Sequence, residues 1–529
     1  MFDYQIMENL LSVSLVVLYF GLLLFIGIRS SRKISNTADY IVAGRKLGFW
    51  VFVFLMVGST ASGMTLLGVS GLGYIGGWPT FWEQLFVPLS SSACLILFGV
   101  KLSRLAEKRD YMTLEDYFCE RYYSNHSMRV LSSVFVLFVS FVYLVGQYTA
   151  ISIVLQWLLN LNHVTSLIVS ALIIMAYVVL GGMYAVAFTT ILQSAMIIAG
   201  VIVLCPMIIA KIPQFNSVIG SIDPDMVHAF YPQMHPPKAA YAFATPAFIA
   251  SFSLFLTFGL ASAPHIINNV LAVKKKQFFK WAPLLVFAIY FVVMALIKVS
   301  GFAVRALDHQ GVLSVDKPDF AFIAGIEFVL AKYLWVFVGT VILAAVMSTT
   351  DRLLLTIGNC VSWDLYKKYI RPDADDRHIQ RVNRIAVMVA TVLTVTLAIN
   401  PPKLLAFLIW VGIGVMFSCF LVPLPGGLYW RRGTKEASIA TMSVGFVGAI
   451  VSGAVHFFYY KLPVHFSVIS FGAAALTFAV VSLMTRKPDD AVLDVTETGM
   501  YITEKCSPDN TEGGQNVARK PAEQMQPVS

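Results

Sequence analysis

Long apolar runs separated by short basic loops constrain this chain more than any other feature of its sequence. About thirteen runs reach the ~20 residues that a helix needs to cross a bilayer. Hydrophobic residues make up 58% of the 529 residues and charged residues only 13%, which excludes a soluble protein of this size. We therefore predict an all-α polytopic membrane protein. The expected spans are 8–29, 48–76, 79–104, 128–160, 163–180, 185–211, 241–272, 279–307, 333–366, 381–400, 403–430, 436–458 and 464–486.

The distribution of Lys and Arg predicts which side of the membrane each loop occupies. In this order of spans the basic loops all fall on one side, and the opposite loops contain few basic residues. By the positive-inside rule, the N-terminus lies outside and the C-terminus is cytoplasmic, in a plasma or inner membrane. These loops also account for the net charge of +9, so nucleic acid is not an expected partner. The basic loops are Arg29–Lys46, Lys101–Arg129, Lys274–Lys280, Lys367–Arg384 and Arg431–Lys435.

The termini, the cysteines and the lack of enzyme motifs add further expectations. The first apolar run has no basic n-region before it, so we expect a retained span and not a cleaved signal. The six cysteines are scattered without a CxxC pair and predict neither a metal site nor a disulfide framework. No P-loop or catalytic triad is present, so no enzyme is predicted. The polar tail 487–529 lacks apolar periodicity, and we expect it to be disordered.

A stretch rich in small residues, Val57–Tyr74, interrupts the second span with the sequence VGSTASGMTLLGVSGLGY. Each glycine weakens a helix by roughly 1 kcal/mol relative to alanine. Backbone groups freed in lipid must be satisfied by protein, water or a ligand. The pattern indicates a helix that unwinds within the membrane to hold a ligand. A glycine-rich packing face against another helix is the alternative.

Two groups of five spans share one arrangement, which predicts an internal repeat. Spans two to six and seven to eleven each open with an interrupted helix, and the second opener, Tyr241–Ala272, is expected to break at Gly259 and Pro264. An odd number of helices gives the two copies inverted topology, and paired broken helices point to the midplane site of a transporter. The expected units are 1–30 as an extra helix, 48–211 and 241–432 as the repeats, 436–486 as two further spans, and 487–529 as the tail.

The ninth span carries a set of oxygen atoms suited to an alkali cation. Ala345, Ser348 and Thr349 stand at i, i+3 and i+4 and therefore share one helix face. A carbonyl and two hydroxyls from this face, with the carbonyls of Gly58 and Ala61, make a neutral oxygen cage. The alternative is ordinary bonding of Ser and Thr hydroxyls to the preceding helical turn.

Several motifs taken together resemble the sodium:solute symporter family. The resemblance covers about 42–432 and lies closest to the sodium/pantothenate and sodium/proline branches. It implies the leucine-transporter-type (LeuT) fold of 5+5 inverted repeats and sodium-coupled uptake of a solute. The motifs are GSTASGMTLLGVSG at 58–71, GGxxAVxxTxxxQ at 181–193, PHIINN at 264–269, LAAVMSTTD at 343–351 and INPPKLLAFLIWVGIGVMF at 399–417.

Matching positions imply a sodium site and a solute site. The implied sodium ligands are the carbonyls of Gly58, Ala61 and Ala345 and the hydroxyls of Ser348 and Thr349. The implied solute-binding residues are Ser62, Thr65, Gln84 and Tyr143. For Gln84 the alternative is a structural role at a helix interface. Tyr143 shares a helix face with Gln147 at i+4, which supports an interior polar face.

The chain departs from the family pattern at three places. Thr190 stands where an Asp associated with ion passage is usual, Asn269 replaces an Arg, and Asp351 and Arg352 replace small polar residues. Our hypothesis is that Asp351 supplies, on the cytoplasmic ion path, the negative charge missing at Thr190. The alternative is that Asp351 pairs with a basic group in a hydrated vestibule. Lys298 lies near the outer end of its span and either extends to the interface or contacts solute.

The predicted function is sodium-coupled symport of a small organic solute by alternating access. Because the proposed sodium ligands are uncharged, a substrate carboxylate would help offset the ion, which favours pantothenate or another monocarboxylate. The alternatives are an amino acid such as proline, proton-coupled or uncoupled transport, and a transporter-like membrane sensor. The expected partners are the solute, sodium and the lipid bilayer, and no obligate protein partner is expected.

Overall fold

A computed structural model of the chain describes residues 2–62, 64–124, 126–228, 246–274, 276–400, 405–460, 462–489 and 493. The predicted tail at 487–529 therefore falls almost wholly outside the described residues, as does the start of the seventh span. Within the described residues the structure is built from α-helices, several of which continue through π-helical or 3-10 turns.

Twenty α-helices follow one another along the described part of the chain. Their bounds are α1 Phe2–Ser31, α2 Thr37–Val42, α3 Phe49–Thr60, α4 Val69–Gly76, α5 Glu83–Cys94, α6 Val100–Arg109, α7 Leu114–Arg121, α8 Ser127–Leu159, α9 His163–Ile209, α10 Phe215–Ile222, α11 Pro246–Ala261, α12 Pro264–Leu271, α13 Ala282–His309, α14 Ala321–Val329, α15 Trp335–Asn359, α16 Asp376–Ile399, α17 Leu405–Val415, α18 Pro423–Tyr429, α19 Lys435–Ala454 and α20 Phe466–Met484. Of the connecting segments, Met64–Gly68 precedes α4 and Cys360–Ile370 extends α15, both as π-helices.

The helices agree with the predicted polytopic membrane fold. Among the described residues, 10 helices are long and apolar enough to cross a membrane, or up to 12 if each of two bent helix pairs is one span. The 47-residue α9 contains a kink at Gly182. At 1.5 Å per residue α9 would be roughly 70 Å long, about twice the bilayer core, so it supplies two spans. Counting each bent pair as one span and α9 as two gives the thirteen spans expected.

Both predicted broken helices are broken. α3 and the segment that ends with α4 meet at 65°, and α11 and α12 meet at 44°. Ala61 and Ala263 have extended backbone at the two breaks. The expected break at Gly259 is wrong, because Gly259 lies inside α11 and packs closely on Ile413. Pro264 begins α12, as its missing N–H favours. The bounds assigned to the two repeats, 48–211 and 241–432, stay a prediction.

Gly182 allows the chain to turn within α9. Its φ of 47° and ψ of −141° lie in a region that is essentially reserved for glycine. A Cβ there would lie 2.7 Å from the carbonyl oxygen of Tyr40 and 2.9 Å from its ring. The kink therefore depends on the lack of a side chain at this position.

We expect Gly182→Ala to destabilise the protein by about 1–3 kcal/mol, because it adds both backbone strain and a clash with Tyr40. Thermal unfolding of the purified protein measures the loss. Gly21→Ala is the matched control, since a Cβ at Gly21 would meet nothing within 4 Å and alanine favours the helix. A midpoint for Gly182→Ala equal to that of the control would contradict the proposed role of the kink.

A buried polar cluster joins α7 to α8 and to the extension of α15. The guanidinium of Arg129 contacts Asp116 at 3.0 Å and Asp364 at 2.7 Å, and Trp363 donates to Asp116 at 2.8 Å. Burial opposes ionisation of Asp116, but Arg129 holds the pKa of this carboxyl below its usual value. Burial raises the pKa of the neighbouring Glu115 carboxyl to about 7.

Glu115 gives the stability of the protein a defined pH dependence. In the unfolded chain its carboxyl ionises at a pKa of about 4.3, whereas the native carboxyl keeps its proton until about 7. Native stability therefore falls as pH rises between these two values and levels off above the higher one. We expect the unfolding midpoint of the wild type to fall from pH 5 to pH 8 relative to that of Glu115→Gln. Parallel profiles for the two proteins would refute this assignment.

Candidate functional site

The break after α3 is held open by specific hydrogen bonds. The Thr65 hydroxyl accepts from the backbone N–H of Ser62 at 2.9 Å. This bond caps the start of the helical segment that follows the break. The Tyr290 hydroxyl of α13 donates to the carbonyl of Thr60 at 2.9 Å and lies 3.1 Å from the Thr65 hydroxyl. Tyr290 thus bridges the break and satisfies backbone groups that unwinding frees in a water-poor environment.

The predicted sodium ligands of α3 and α15 lie together in the structure. The Ser348 hydroxyl is 3.0 Å from the carbonyl of Gly58, 3.3 Å from that of Ala61 and 2.9 Å from that of Ala345. The Thr349 hydroxyl is 2.6 Å from the carbonyl of Ala61. All of these residues are buried. The geometry gives five neutral oxygens in one place, of the kind hard cations prefer. That they bind sodium stays a prediction.

Gly58 also lies at a close helix contact, as expected from the alternative prediction that the small-residue stretch Val57–Tyr74 packs against another helix. A Cβ on Gly58 would collide with the Thr190 side chain and lie 2.8 Å from the Ser194 hydroxyl, so its absence lets α3 approach α9. The Ser194 hydroxyl donates to the carbonyl of Phe54 at 3.0 Å across the same contact. One part of the stretch therefore packs closely as a helix, and the part after Thr60 is unwound.

A small cavity of about 60 Å³ adjoins the break. At ~15 Å³ per water it has room for about four water molecules, so a larger solute enters only when the walls separate. Three of the four predicted solute-binding residues, Ser62, Thr65 and Tyr143, line it. The other lining residues are Thr60, Gly68, Val69, Leu72, Glu83, Val87, Leu256, Leu260, Tyr290, Met294, Trp410 and Ile413.

Gln84 is not brought to the cavity, and its neighbour Glu83 is. The Gln84 side chain is fully buried and donates to the Glu83 carboxylate at 3.2 Å. Lys298 does not extend to the membrane interface, because it is fully buried and its Nζ contacts the Glu83 carboxylate at 3.0 Å. Sequence reasoning missed Glu83, although a charge in each of two spans signals a buried pair.

The departures from the family pattern meet in one place. Arg352 donates to the hydroxyl of Thr190 at 2.7 Å and to that of Ser59 at 2.5 Å, and Asn269 donates to the same Ser59 hydroxyl at 2.7 Å. The Asp351 carboxylate accepts from the hydroxyls of Tyr177 and Thr189. These buried bonds put Asp351 near α9, yet its predicted role on the ion path stays a prediction.

Comparison of the sequence with known families identifies a transporter family. The model of the sodium:solute symporter family matches residues 40–445, which is more than half of the chain. The chain belongs to this family. Sodium-coupled transport of a solute is therefore its activity, sodium is its coupling ion, and the prediction of a transporter and not an enzyme is confirmed.

Relatives of this symporter match over nearly their whole length. The osmoregulated proline transporter OpuE of Bacillus subtilis is 24% identical over 91% of this chain and 97% of its own. A sodium/proline symporter of Haemophilus influenzae is 25% identical over 91% and 96% of the two chains. A solved structure of a Na⁺-coupled sialic acid symporter in its substrate-bound, outward-open state has a TM-score of 0.77 at 14% identity, covering 90% and 98%. This structural likeness confirms the LeuT-type fold.

We expect Thr349→Ala to raise the sodium concentration for half-maximal uptake by about tenfold, since it removes one of few ligands of the ion. Uptake into proteoliposomes over a sodium titration measures the change. Thr350→Ala is the matched control, because the Thr350 hydroxyl donates only to the Val346 carbonyl one turn back. Equal sodium dependence in the two variants would show that Thr349 is not a ligand.

Proposed function

We propose that this symporter imports a small zwitterionic amino acid, proline or a compound of closely similar chemistry, together with sodium. OpuE and the Haemophilus influenzae symporter are named as proline transporters, and each matches nearly end to end. The charge and lining of the cavity support the same class of solute.

The carboxylate of Glu83 is the observation that most favours an amino acid as the solute. It lines the cavity, and among the described residues the cavity wall contains no Lys, Arg or His. An amino acid can direct its ammonium toward Glu83 and its carboxylate toward the break, where sodium would offset the negative charge. Glu83 is paired with Lys298, so the buried site is neutral before solute binds. The zwitterion keeps it neutral, whereas a monocarboxylate such as pantothenate adds a net negative charge.

The remaining walls suit a compact apolar ring. Tyr143, Tyr290 and Trp410 supply aromatic faces, and Leu256, Leu260 and similar residues supply aliphatic contacts. Aromatic side chains pack well against saturated rings and keep a polar tip available for hydrogen bonding. The hydroxyls of Ser62 and Thr65 would then orient the solute carboxylate.

In the proposed cycle sodium joins α3 to α15 and stabilises the conformation that accepts solute from outside. Solute then closes the outer gate, and both ligands leave to the cytoplasm. Coupling requires that both ligands favour the same conformation. The basic loops support an orientation in a plasma or inner membrane with the N-terminus outside and the C-terminus cytoplasmic.

Uptake by the purified protein in proteoliposomes tests the solute and the ion together. We expect an inward sodium gradient to drive accumulation of labelled proline, and replacement of sodium by choline to abolish it. Excess unlabelled proline should compete, and excess pantothenate should not. Inhibition by pantothenate without inhibition by proline would favour the monocarboxylate.

The double variant Glu83→Gln/Lys298→Met tests the role assigned to the carboxylate. Removing both charges avoids leaving either one buried and unpaired, so the protein is expected to fold. We expect the KM for proline to rise by about tenfold or more while half-maximal sodium changes little. Glu327→Gln is the control, because Glu327 bonds Trp157 away from the cavity. An unchanged KM in the double variant would exclude contact between Glu83 and the solute.

A further inference from the structure

Arg352 holds the broken span from a position one helical turn beyond the sodium ligands of α15. Its Nη1 donates to the carbonyl of Leu55 at 3.1 Å and to the hydroxyl of Ser59 at 2.5 Å, both on α3. Its Nη2 donates to the hydroxyl of Thr190 on α9 at 2.7 Å. A single guanidinium therefore connects three helices while only 2% of the residue is exposed.

The contact between α3 and α15 consists of two similar layers. Arg352 is four residues after Ser348 and so lies on the same helix face, about 6 Å along the axis. On the facing helix, Leu55 lies three residues before Gly58. In the first layer, carbonyl and hydroxyl oxygens surround the predicted sodium position. In the second layer, oxygens of the same two kinds surround a guanidinium.

The hydroxyls of the second layer are oriented to receive a cation. Ser59 donates its proton to the Leu55 carbonyl at 2.6 Å and accepts from both Arg352 and Asn269. Thr190 donates its proton to the Val186 carbonyl at 2.6 Å and accepts from Arg352. With their protons committed elsewhere, both oxygens present lone pairs to the positive charge.

Asp351 balances this charge from the adjacent position on α15. It is fully buried, and its carboxylate accepts from the hydroxyls of Tyr177 and Thr189. Asp351 and Arg352 sum to zero, so the region is electrically balanced before sodium arrives. Without the guanidinium, a buried carboxylate and several lone pairs would be left with no positive charge, which is costly in a membrane interior.

We propose that Arg352 permanently fills a second cation position of the transporter, so that one sodium ion moves with each solute. Removal of the guanidinium opens this position, and the oxygens of Leu55, Ser59 and Thr190 then bind a second alkali cation, whose charge Asp351 balances from the adjacent position in the chain. The proposal rests on the sodium layer proposed above and adds the number of ions coupled to each solute.

The coupling ratio of Arg352→Ser tests the proposal. Proteoliposomes with the membrane potential clamped at zero receive a fixed sodium gradient, and the gradient of labelled proline that stops its net flux is measured. With a tenfold sodium gradient, we expect balance at about tenfold solute for the wild type and about 100-fold for Arg352→Ser. A wild type that couples two ions, or an active Arg352→Ser that couples one, would overturn the proposal.

Two further variants separate the charge from the structural contacts. Arg352→Lys keeps a cation and should couple one ion, and Asp351→Asn/Arg352→Ser lacks the anion and should also couple one. If Arg352→Ser folds but does not transport, thermal unfolding of the purified protein replaces the flux measurement. Its midpoint should then rise with the logarithm of sodium concentration about twice as steeply as that of the wild type. Equal slopes would also overturn the proposal.

Uptake that does not depend on sodium in the wild type would refute the sodium layer itself. Sodium-dependent uptake together with an unchanged ratio in Arg352→Ser would refute only the role of Arg352. The two failures are therefore distinguishable.

Discussion

The carbonyl of Ala61 and the hydroxyl of Thr349 form the contact on which the rest of this structure depends. A carbonyl inside a regular helix is already bonded to an amide four residues on. Only because α3 ends at Thr60 does Ala61 turn its oxygen toward α15. Unwinding therefore frees the Ala61 carbonyl from the helix. Because a freed carbonyl in a membrane interior must have a partner, it is available to bond a hydroxyl or a cation.

Several side chains keep the break from closing into a continuous helix. Tyr290 bridges the two ends of the break, and Thr65 caps the segment that returns. Arg352 and Asn269 meet at Ser59, on the last turn of α3, and so join both broken spans to α15. The predicted sodium ligands, the second layer and the cavity thus surround one short stretch of chain, and a movement of this stretch affects all three.

Much of this arrangement follows from the sequence alone. Glycines and hydroxyl residues in an apolar run predict the break in α3, and the spacing of Ser348 and Thr349 predicts one ligand face on α15. In the second broken span the glycine pattern predicts the break too early, since Gly259 serves helix packing and the extended residue is Ala263. Propensity alone does not distinguish a glycine that unwinds a helix from one that lets another helix approach.

The contacts of charged residues were harder to predict. The position of Lys298 near the end of its span predicts an extension toward the interface, whereas its partner is Glu83 on α5, 215 residues away in sequence. Gln84 matched a family position, yet the helix phase of α5 turns Glu83 to the cavity in its place. Similarly, Arg352 and Thr190 stand 162 residues apart. Pairing between distant spans depends on how the helices rotate and pack, and no local pattern records it.

The lack of a side chain at Gly58 bears on selectivity among alkali-metal ions. As a predicted ligand, Gly58 would contribute a backbone oxygen, with no side chain that could rotate to fit a smaller or larger ion. Its distance from α15 is set by how tightly α3 rests on α9, through contacts with Thr190 and Ser194. At the predicted site, discrimination between lithium, sodium and potassium by radius would depend on the stiffness of this helix interface, outside the coordination shell itself.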